Sequence, residues 1–521
     1  MLRRLANLVL IPGVAVYKQW KERIITPVPK EEGNFSLERA RPLVLLEVLQ
    51  KSFWAILTAR MTKIWEERQI LNPMQFGFRK GQSVTAPALM ATLIAEQRVA
   101  DKEPVFVFSQ DISKAYDTVA RHVGKEIAWR RLGLPEEFIQ LLLNMDRENE
   151  TAVLTAFGFT DELIGVKEGK FEYERGFCQG ASESPPGWVA LYDIFLELQK
   201  DIAEGDPIQL GTMDGETMNY YGSVFADDAL WVSSSRRGIE VRANVSALFL
   251  EFMDIQFNKE KSSVMGLEWQ DGKAYDVEQE GWSPMIYDTE EIFGTGEMQL
   301  AVFSSEREKG VGFFHGRSHI SDGVGVPVPK AKLNKGVRWL GYNWSPMLDK
   351  DSVKEDLEVI VAKVARQLKE TTVSPDSTLY LCDLVVWGRL NYKAHVGVFN
   401  REEMEQLERR IRHIYLEACA LNKSLAKTVV NLPAGLGGLG WTPWYDRLMK
   451  NRATLLNKMV GTTTPMGFVL RWAVEQLHKR VASGEPVTAV GGYRNQLENK
   501  RWVMAPSLRE WVGGCWRCFC A

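Results

Sequence analysis

The sequence predicts an α+β fold, and three observations support this prediction. Apolar residues recur at helical spacing over 45–71, and again in three segments between 351 and 421. Residues 104–112 and 218–234 contain the short apolar runs of β-strands, and the second segment has the layout of a hairpin. The chain has 521 residues, 45% of them hydrophobic and 25% charged, so a folded chain of two to four domains or subdomains is expected.

The first hundred residues look largely helical. An amphipathic helix is expected to open the chain, the helix over 45–71 is ended by Pro73, and "APALMATLIAEQRVA" (86–100) forms another. "PVFVFSQDI" (104–112) follows as a buried strand, because it is apolar at both odd and even positions. Two helices then run up to about residue 148.

The second half begins with a loop that leads into a long helix from about Gly187. After the hairpin at 218–234 we expect a helix over 238–254, and then a Gly-rich, acidic and weakly periodic stretch at 267–332. "VRWLGYNWS" (337–345) predicts a short strand before the three C-terminal helices.

Charge is unevenly distributed along the chain. The net charge is −3, but residues 268–308 carry 11 acidic and 2 basic side chains, which leaves +6 for the rest. Residues 1–82 contain 14 Lys or Arg against 7 Asp or Glu, so this basic front is compatible with nucleic acid. No apolar run is long enough for a membrane span.

The six cysteines are too few and too scattered for a disulfide framework. An intracellular setting is therefore expected, in the nucleus and the cytoplasm.

Three aspartates carry the predicted chemistry. Asp111 lies where the 104–112 strand ends, and Asp227 and Asp228 lie between the two apolar runs of the hairpin. An ordinary solvated turn is the alternative for this pair, although Asp-Asp suits a two-residue hairpin poorly because such turns favour Asn-Gly or Asp-Gly. Carboxylates are the ligands that Mg²⁺ prefers, and two metal ions can assist phosphoryl transfer. A strand-end Asp with a paired Asp in a hairpin is typical of polymerase palms.

At this point the chain resembles the reverse transcriptases of non-LTR (LINE-type) retrotransposons. The similarity runs in order over roughly residues 17–265 and resumes at 337–441. Its motifs are "WKERIITPVPKEEG…ARPLVLLEVLQKSF", "QFGFRKGQSVTAPAL", "DISKAYDTV", "RGFCQGASESPPGW", "FADD", "FNKEKSSV", "VRWLGYNW" and "NLPAGLGGLGW".

The resemblance implies a right-hand polymerase with helical fingers, an antiparallel-sheet palm and a helical thumb. It would add dNTPs to a primer 3′ end on an RNA template. The implied divisions are fingers (1–105), palm with part of the fingers (106–265), acidic Gly-rich insertion (266–332), primer-grip hairpin (333–348), thumb and following block (349–465), and C-terminal tail (466–521).

The resemblance also implies roles at the reaction centre. Asp111, Asp227 and the carbonyl of Ile112 would hold two Mg²⁺ ions, with Mn²⁺ as the alternative ion, and Asp228 would complete the acidic site. Lys261 would protonate pyrophosphate, although Lys259 is close by.

Further residues would bind nucleotide or nucleic acid. The nucleotide set is Arg79, Lys80, Tyr116, Gln179, Gly180 and Ile112, with Tyr116 as a steric gate against a 2′-OH. The primer and template set is Arg41, Lys30, Trp339, Leu340 and Gly341. Ordinary alternatives are a solvated basic loop for Arg79 and Lys80, surface charge for Arg41 and Lys30, and core packing for Tyr116 and Trp339.

Several features depart from the family pattern. Cys178 replaces a usual proline, Glu183 a usual apolar residue, and Pro185-Pro186 is unusual before Gly187. The cluster Cys515, Cys518 and Cys520 lacks a fourth zinc ligand, so an incomplete knuckle is expected. His315 and His319 fit a Gly-rich loop better than a metal site.

Other functions remain open on sequence alone. With no endonuclease domain evident, a separate endonuclease would be needed to nick target DNA. One alternative is a decayed or domesticated element fragment that binds RNA without catalysis. Another is a related polymerase, such as a maturase or an RNA-dependent RNA polymerase, which Tyr116 and the 431–441 block disfavour.

Overall fold

The described residues form both helices and strands, which confirms the predicted α+β class. In this computed structural model the described residues are 2–11, 16–30, 33, 36, 40–120, 122–147, 149–160, 176–253, 255, 258, 261–271, 273–276, 285–286, 326–333, 335–346, 350–370, 374–395 and 399–482.

The strands are numbered in chain order. They are β1 (Glu22–Pro29), β2 (Ala40–Leu45), β3 (Val105–Gln110), β4 (Glu150–Thr155), β5 (Gly158–Phe159), β6 (Ile208–Gly211), β7 (Thr217–Tyr220), β8 (Gly222–Phe225), β9 (Asp228–Ser233), β10 (Ser263–Gln270), β11 (Lys273–Asp276), β12 (Met285–Ile286), β13 (Val326–Pro327), β14 (Val337–Trp339) and β15 (Tyr342–Trp344).

The α-helices are numbered in the same way. They are α1 (Leu2–Val9), α2 (Val48–Glu67), α3 (Thr85–Ala100), α4 (Ala115–Thr118), α5 (Ala128–Arg131), α6 (Glu136–Asp146), α7 (Ser184–Asp201), α8 (Arg236–Phe252), α9 (Lys350–Glu370), α10 (Pro375–Leu381), α11 (Trp387–Ala394), α12 (Arg401–Ala418), α13 (Lys427–Asn431), α14 (Trp444–Met459) and α15 (Pro465–Ala482). Short π-helical segments at His122–Ile127 and Cys382–Val386 lead into α5 and α11.

A five-stranded antiparallel sheet forms the centre of the fold, in the order β11-β10-β3-β9-β8. All six residues of β3 are buried, including the polar Ser109 and Gln110 that follow its apolar run. Helix α8 packs against β3 and β9, and α3 packs against β3 and β8. The sheet therefore holds the ends of β3, β8 and β9 in a fixed relation to one another.

A second sheet lies in the N-terminal region, in the order β2-β1-β4-β5. Residues 22–29 and 40–45 are thus strands in a region whose apolar spacing predicted mainly helices. The β-branched Ile24, Ile25 and Thr26 favour this extended conformation. Because proline cannot donate to a sheet ladder, Pro27 fits a position where β1 pairs with β2 only, since β4 ends its pairing at Ile25.

Two hydrophobic cores organise the molecule. The first contains the central sheet, α3, α7, α8 and the β14–β15 hairpin, and α15 returns to it and packs against α3. The second is built by the C-terminal helices, with residues between Val353 and Met449. The three helical segments predicted between 351 and 421 are confirmed as α9, α10 continued by α11, and α12.

Parts of the predicted insertion and tail lie outside the described residues. These parts include His315, His319, Cys515, Cys518 and Cys520, and Lys259 of the predicted palm also lies outside the described residues. The first residues of the predicted insertion belong to β10 and β11 of the central sheet. No helix in the described part of the chain is both long and apolar enough to cross a lipid bilayer.

Candidate active site

Asp111 follows directly on the last residue of β3, where the sequence predicted it. Its Oδ2 accepts a hydrogen bond of 2.7 Å from Asn258 Nδ2, and its backbone N–H donates to Ser262 Oγ at 2.9 Å. The backbone N–H of Asn258 also donates to the Asp111 carbonyl at 3.0 Å. The segment before β10 therefore holds both the side chain and the backbone of Asp111.

Asp227 and Asp228 lie at the β8–β9 hairpin, but they occupy different positions in it. Phe225 pairs with Asp228, so the two turn residues are Ala226 and Asp227, and Asp228 is the first residue of β9. Because Gln110 pairs with Ala229 in the antiparallel ladder, Asp111 and Asp228 come next in the same register. Thus the sheet brings Asp111 beside both hairpin aspartates.

The hairpin turn depends on an alanine in an uncommon conformation. Ala226 has φ +62°, a region that L-residues other than Asn and Asp rarely adopt. The fully buried Gln75 compensates, because its Oε1 accepts from the Ala226 N–H at 3.0 Å and its Nε2 donates to the Ala226 carbonyl at 3.2 Å. Trp188 Nε1 donates to the same carbonyl at 2.8 Å.

The segment that contains Gln75 lies against the hairpin itself. Backbone hydrogen bonds join Phe76 N–H to the Val224 carbonyl and Val224 N–H to the Met74 carbonyl. A Cβ at Gly77 would lie 2.1 Å from the Ala226 nitrogen, so only glycine fits there. The motif "QFGFRKGQS" therefore supports the turn that presents Asp227.

Burial raises the pKa of all three carboxyl groups. For Asp111, Lys261 and the Asn258 hydrogen bond oppose the effect of burial on the pKa. For Asp227, the charge of Asp111 adds to burial in raising the pKa. For Asp228, burial raises the pKa to about 7, with smaller contributions from Asp227 and Asp111. The three groups are close enough for each additional negative charge to be unfavourable.

The donor chemistry of this acidic site fits a hard divalent cation, which would offset that repulsion. The site is not preassembled around one point, however. Within the described residues, no three His, Cys, Asp or Glu side chains are placed to hold a metal ion. Two carboxylate oxygens are instead bonded to protein groups, namely Asn258 Nδ2 and the Leu340 N–H, which donates to Asp228 Oδ2 at 3.1 Å.

Tyr116 lies in an aromatic cluster next to the acidic site. Its ring stacks on Trp188 with centroids 5.4 Å apart, and its neighbours Phe78 and Phe177 make edge contacts at 6.1 and 6.0 Å. Burial raises the pKa of its hydroxyl, and Asp227 raises it further. The buried hydroxyl has no hydrogen-bond partner among the described residues. The ring is thus held rigidly near Asp227.

Gln179 and Gly180 form a loop that is joined to the N-terminal sheet. The Gln179 carbonyl accepts from the Val44 N–H at 2.7 Å, and Gln179 Nε2 donates to Asp117 Oδ1 at 2.9 Å. Gly180 has φ +117°, and a Cβ there would lie 2.6 Å from the Val44 carbonyl oxygen, so glycine is needed. The loop is tied to β2 and to the residue that follows Tyr116.

Arg79 and Lys80 differ in their surroundings. The Arg79 guanidinium group donates two hydrogen bonds to the Glu66 carboxylate, from Nε and Nη2 at 2.7 Å each. Its Nη1 donates to the backbone carbonyls of Asn72 and Gln75. The Arg79 side chain is 9% exposed, whereas Lys80 is exposed. In this arrangement Lys80 is the more accessible cation.

The remaining predicted residues lie around this centre. Lys261 is exposed and lies close enough to Asp111 for its charge to act on that carboxyl. Ile112 is buried beside Asp111. Arg41 lies in β2, where it pairs with Val28, Lys30 directly follows β1, and both side chains are exposed.

The predicted primer-grip hairpin packs against the central sheet. Trp339 is fully buried, in edge contact with Trp344 at 6.3 Å, so it is a core residue in this structure. Leu340 and Gly341 form the turn, with φ of +50° and +73°. The Leu340 N–H contacts the acidic site directly, because it donates to Asp228 Oδ2.

The two family departures Cys178 and Glu183 lie in one buried charge cluster. Arg23 Nη1 donates to Cys178 Sγ at 3.0 Å and Arg23 Nη2 donates to Asp146 Oδ1 at 3.1 Å, while Lys125 Nζ donates to Asp146 Oδ2 at 2.5 Å. Glu183 is wholly buried, and the charge of Lys125 opposes the burial that raises its pKa. The cluster lies directly behind the Gln179 loop.

Sequence reasoning missed the residues that support the aspartates through backbone groups. They are Gln75, Trp188, Asn258 and Ser262. All four lie within motifs used for the family resemblance. That resemblance was the only available signal, because the sequence does not show which atom a side chain will reach.

The chain was also compared with known proteins. The family model described as reverse transcriptase (RNA-dependent DNA polymerase) matches residues 28–344, more than half of the chain. Over 439 residues the chain is 23% identical to the retrovirus-related Pol polyprotein from type-2 retrotransposable element R2DM of Drosophila melanogaster, covering 84% of this chain and 35% of that protein. Over 244 residues it is 25% identical to the Pol polyprotein from type-1 retrotransposable element R2 of Popillia japonica, covering 47% of this chain and 32% of that one.

The chain thus spans about a third of the length of these relatives. Among solved structures, the apo telomerase of Candida tropicalis overlays with a TM-score of 0.36 at 10% identity, covering 89% of this chain and 70% of that one. At that level of likeness the fold assignment depends on the family match and on the strand order of the central sheet.

Proposed function

Because the chain belongs to the reverse transcriptase (RNA-dependent DNA polymerase) family, of the non-LTR retrotransposon type predicted from its motifs, we propose that it extends a DNA primer with dNTPs on an RNA template. The observation that carries this proposal is the acidic site. Asp111 ends the central strand of an antiparallel sheet, and the same sheet places the hairpin with Asp227 and Asp228 beside it.

Asp111, Asp227 and the Ile112 carbonyl would hold two Mg²⁺ ions, or Mn²⁺ in their place, with Asp228 completing the negative charge. When bound, such ions would activate the primer 3′-hydroxyl and offset the charge of the departing pyrophosphate. Asn258 and the Leu340 N–H keep two of the carboxylates in place until then. The raised pKa values support this role, because a cation would relieve the repulsion among the aspartates.

The surrounding residues would bind and orient the substrates. Lys261, exposed beside Asp111, would donate a proton to pyrophosphate. Tyr116, held by Trp188, would exclude a ribose 2′-OH. Lys80 would contact the triphosphate, and Arg79 would join it by exchanging the Glu66 carboxylate for phosphate oxygens.

The nucleic acid would lie between fingers and thumb. Gln179 and Gly180 would contact the new base pair, and the exposed Lys30 and Arg41 would bind template or primer phosphates. Leu340 and Gly341 would lie under the primer end, with Trp339 as their buried support.

The test is primer extension on poly(rA)/oligo(dT) with Mg²⁺, and in parallel with Mn²⁺. We expect incorporation of dTTP by the wild type and none by Asp227→Ala, which removes one member of the acidic site. Asp201→Ala, at the exposed end of α7, is the matched control and should retain activity. RNA binding without incorporation by the wild type would refute the proposal and favour a fragment that only binds RNA.

A further inference from the structure

The turn of the β14–β15 hairpin connects a predicted catalytic aspartate with the C-terminal helices. The Leu340 N–H donates to Asp228 Oδ2 at 3.1 Å. In the next peptide unit, the Leu340 carbonyl accepts a hydrogen bond from the Tyr392 hydroxyl, and the Gly341 carbonyl accepts one from Lys393 Nζ. All these polar groups of the turn are therefore engaged by protein.

Tyr392 and Lys393 belong to α11, which lies in the predicted thumb. The Tyr392 ring stacks on Tyr342 with centroids 4.9 Å apart and an interplanar angle of 25°, and the Tyr342 hydroxyl donates to the Tyr392 carbonyl at 2.7 Å. Lys393 also pairs with Asp356 of α9 at 2.6 Å. The hairpin turn is thus bonded to α11, and through Lys393 it is linked to α9.

The same hairpin is fixed to the first core at its other end. Trp344 Nε1 donates to Thr92 Oγ1 of α3 at 3.1 Å, and Trp339 is fully buried. Because the strands are fixed there, the turn is the part of the hairpin that can respond to a displacement of α11. A shift of Tyr392 would act on Leu340, and through Leu340 on Asp228.

We propose that Tyr392 is a positioning residue that couples the placement of the thumb to the placement of Asp228, through the backbone of Leu340. This inference rests on the proposed polymerase function, in which the thumb closes on the primer–template. With the thumb in place, the Tyr392 hydroxyl holds the Leu340 carbonyl, which restricts the backbone of the residue whose N–H donates to the Asp228 carboxylate. Removal of that hydroxyl frees the turn and loosens Asp228, while the ring stack and the substrate contacts remain.

The first measurement does not depend on activity. Hydrogen exchange, followed by mass spectrometry on peptides that span 337–344, reports the protection of the Leu340 N–H. Tyr392→Phe should accelerate exchange in these peptides about tenfold, the loss expected when one supporting hydrogen bond is removed. Tyr380→Phe, at an exposed tyrosine of α10, is the control and should leave their exchange unchanged.

The second measurement separates positioning from a merely structural role. In primer extension, Tyr392→Phe should lower kcat about fivefold, while the dissociation constant for primer–template and the KM for dTTP stay within about twofold of wild type. Tyr342→Phe also removes one hydrogen bond between the hairpin and α11, but it leaves the Leu340 carbonyl bonded. We therefore expect it to lower kcat less than Tyr392→Phe does.

The outcomes distinguish this inference from the proposed function. A wild type that incorporates no nucleotide refutes the function, and the exchange experiment still tests the link. An active wild type with unchanged kcat and unchanged exchange in Tyr392→Phe overturns the coupling. Equal losses of kcat in Tyr392→Phe and Tyr342→Phe, accompanied by equal falls in thermal midpoint, overturn it as well, because both variants would then only weaken packing.

Discussion

Replacement of Gln75 by methionine should separate the support of the hairpin turn from the chemistry of the aspartates. The Gln75 side chain accepts from the N–H groups of Ala226 at 3.0 Å and Gly77 at 2.8 Å, and donates to the Ala226 carbonyl at 3.2 Å. Methionine has a similar length but offers none of these bonds. The carbonyl keeps Trp188 Nε1, so two buried N–H groups lose their partner.

The magnitude follows from those two donors. Each buried donor left without a partner destabilises the fold by about 1–3 kcal/mol, and the new apolar contacts of methionine offset part of that. We expect the free energy of unfolding to fall by about 3 kcal/mol. Ala226 also loses the two Gln75 hydrogen bonds that hold its backbone at positive φ, a conformation that is unfavourable for alanine by about 1–2 kcal/mol. Because the turn then presents Asp227 less precisely, kcat should fall at least about tenfold.

Urea unfolding and primer extension at a permissive temperature measure the two effects. Gln140→Met is the matched control, because Gln140 lies on the surface of α6 and bonds only Glu136 at 2.8 Å. Since glycine adopts positive φ freely, Ala226→Gly added to Gln75→Met should restore much of kcat without restoring full stability. Wild-type kcat in Gln75→Met, or no recovery in the double variant, would refute this reasoning.

Three further predictions concern pH, buried charge and sugar selection. Burial, and to a smaller extent Arg452, lowers the pKa of His395 to about 4, so the stability that this neutral histidine contributes above pH 6.5 should be lost as the pH falls from 6.5 to 4. His395→Gln should therefore reduce the pH dependence of the free energy of unfolding by up to about 3 kcal/mol, as measured by urea unfolding. Identical pH profiles of wild type and variant would contradict this prediction. Lys125→Met should destabilise the fold by about 2 kcal/mol, because it removes one of the cations that pair with the buried Asp146, Arg23 being another. The exposed Lys63→Met should change stability by less than about 0.5 kcal/mol, and equal effects in thermal or urea unfolding would be the contrary result. Tyr116→Ala should increase rUTP incorporation relative to dTTP on poly(rA)/oligo(dT) by at least about tenfold, and unchanged selection would argue against a steric gate.

The sequence alone was sufficient to predict the helices and strands that have a strong local pattern of apolar residues. The run Val105–Phe108, apolar at both odd and even positions, predicted a buried strand, and β3 is buried at every position. The two apolar runs around Asp227 and Asp228 predicted the hairpin. In both cases the pattern of apolar residues along the chain is enough to indicate which side chains are buried.

The N-terminal sheet shows where local pattern was not sufficient. Strand β1 pairs with β4, which lies more than a hundred residues further along the chain. The helical spacing of 45–71 correctly predicted α2, but the segments on its N-terminal side become strands because of partners that the local sequence does not contain. Sheet formation depends on such neighbours more than helix formation does.

The turn itself was assigned one residue too late, and the physical reason lies outside the hairpin. From the dipeptide alone, Asp227 and Asp228 looked like the two turn residues, and both would have needed positive φ. In the structure Ala226 takes the positive φ instead, because Gln75 and Trp188 bond its N–H and carbonyl from segments far away in sequence. Asp228 is then free to enter β9, where it pairs with Phe225 and receives the Leu340 N–H.

This arrangement explains why three mutually repelling carboxylates can persist together before any cation binds. Each of them is held by donors from a different part of the chain: Asp111 by Asn258, Asp228 by Leu340, and the Asp227 turn by Gln75. A hydrogen bond to a buried carboxylate offsets part of the unfavourable free energy of its charge, and backbone donors are fixed by the strands that contain them. Substitution of these supporting residues should therefore disturb the acidic site more than substitution of surface charges such as Lys30 or Arg41.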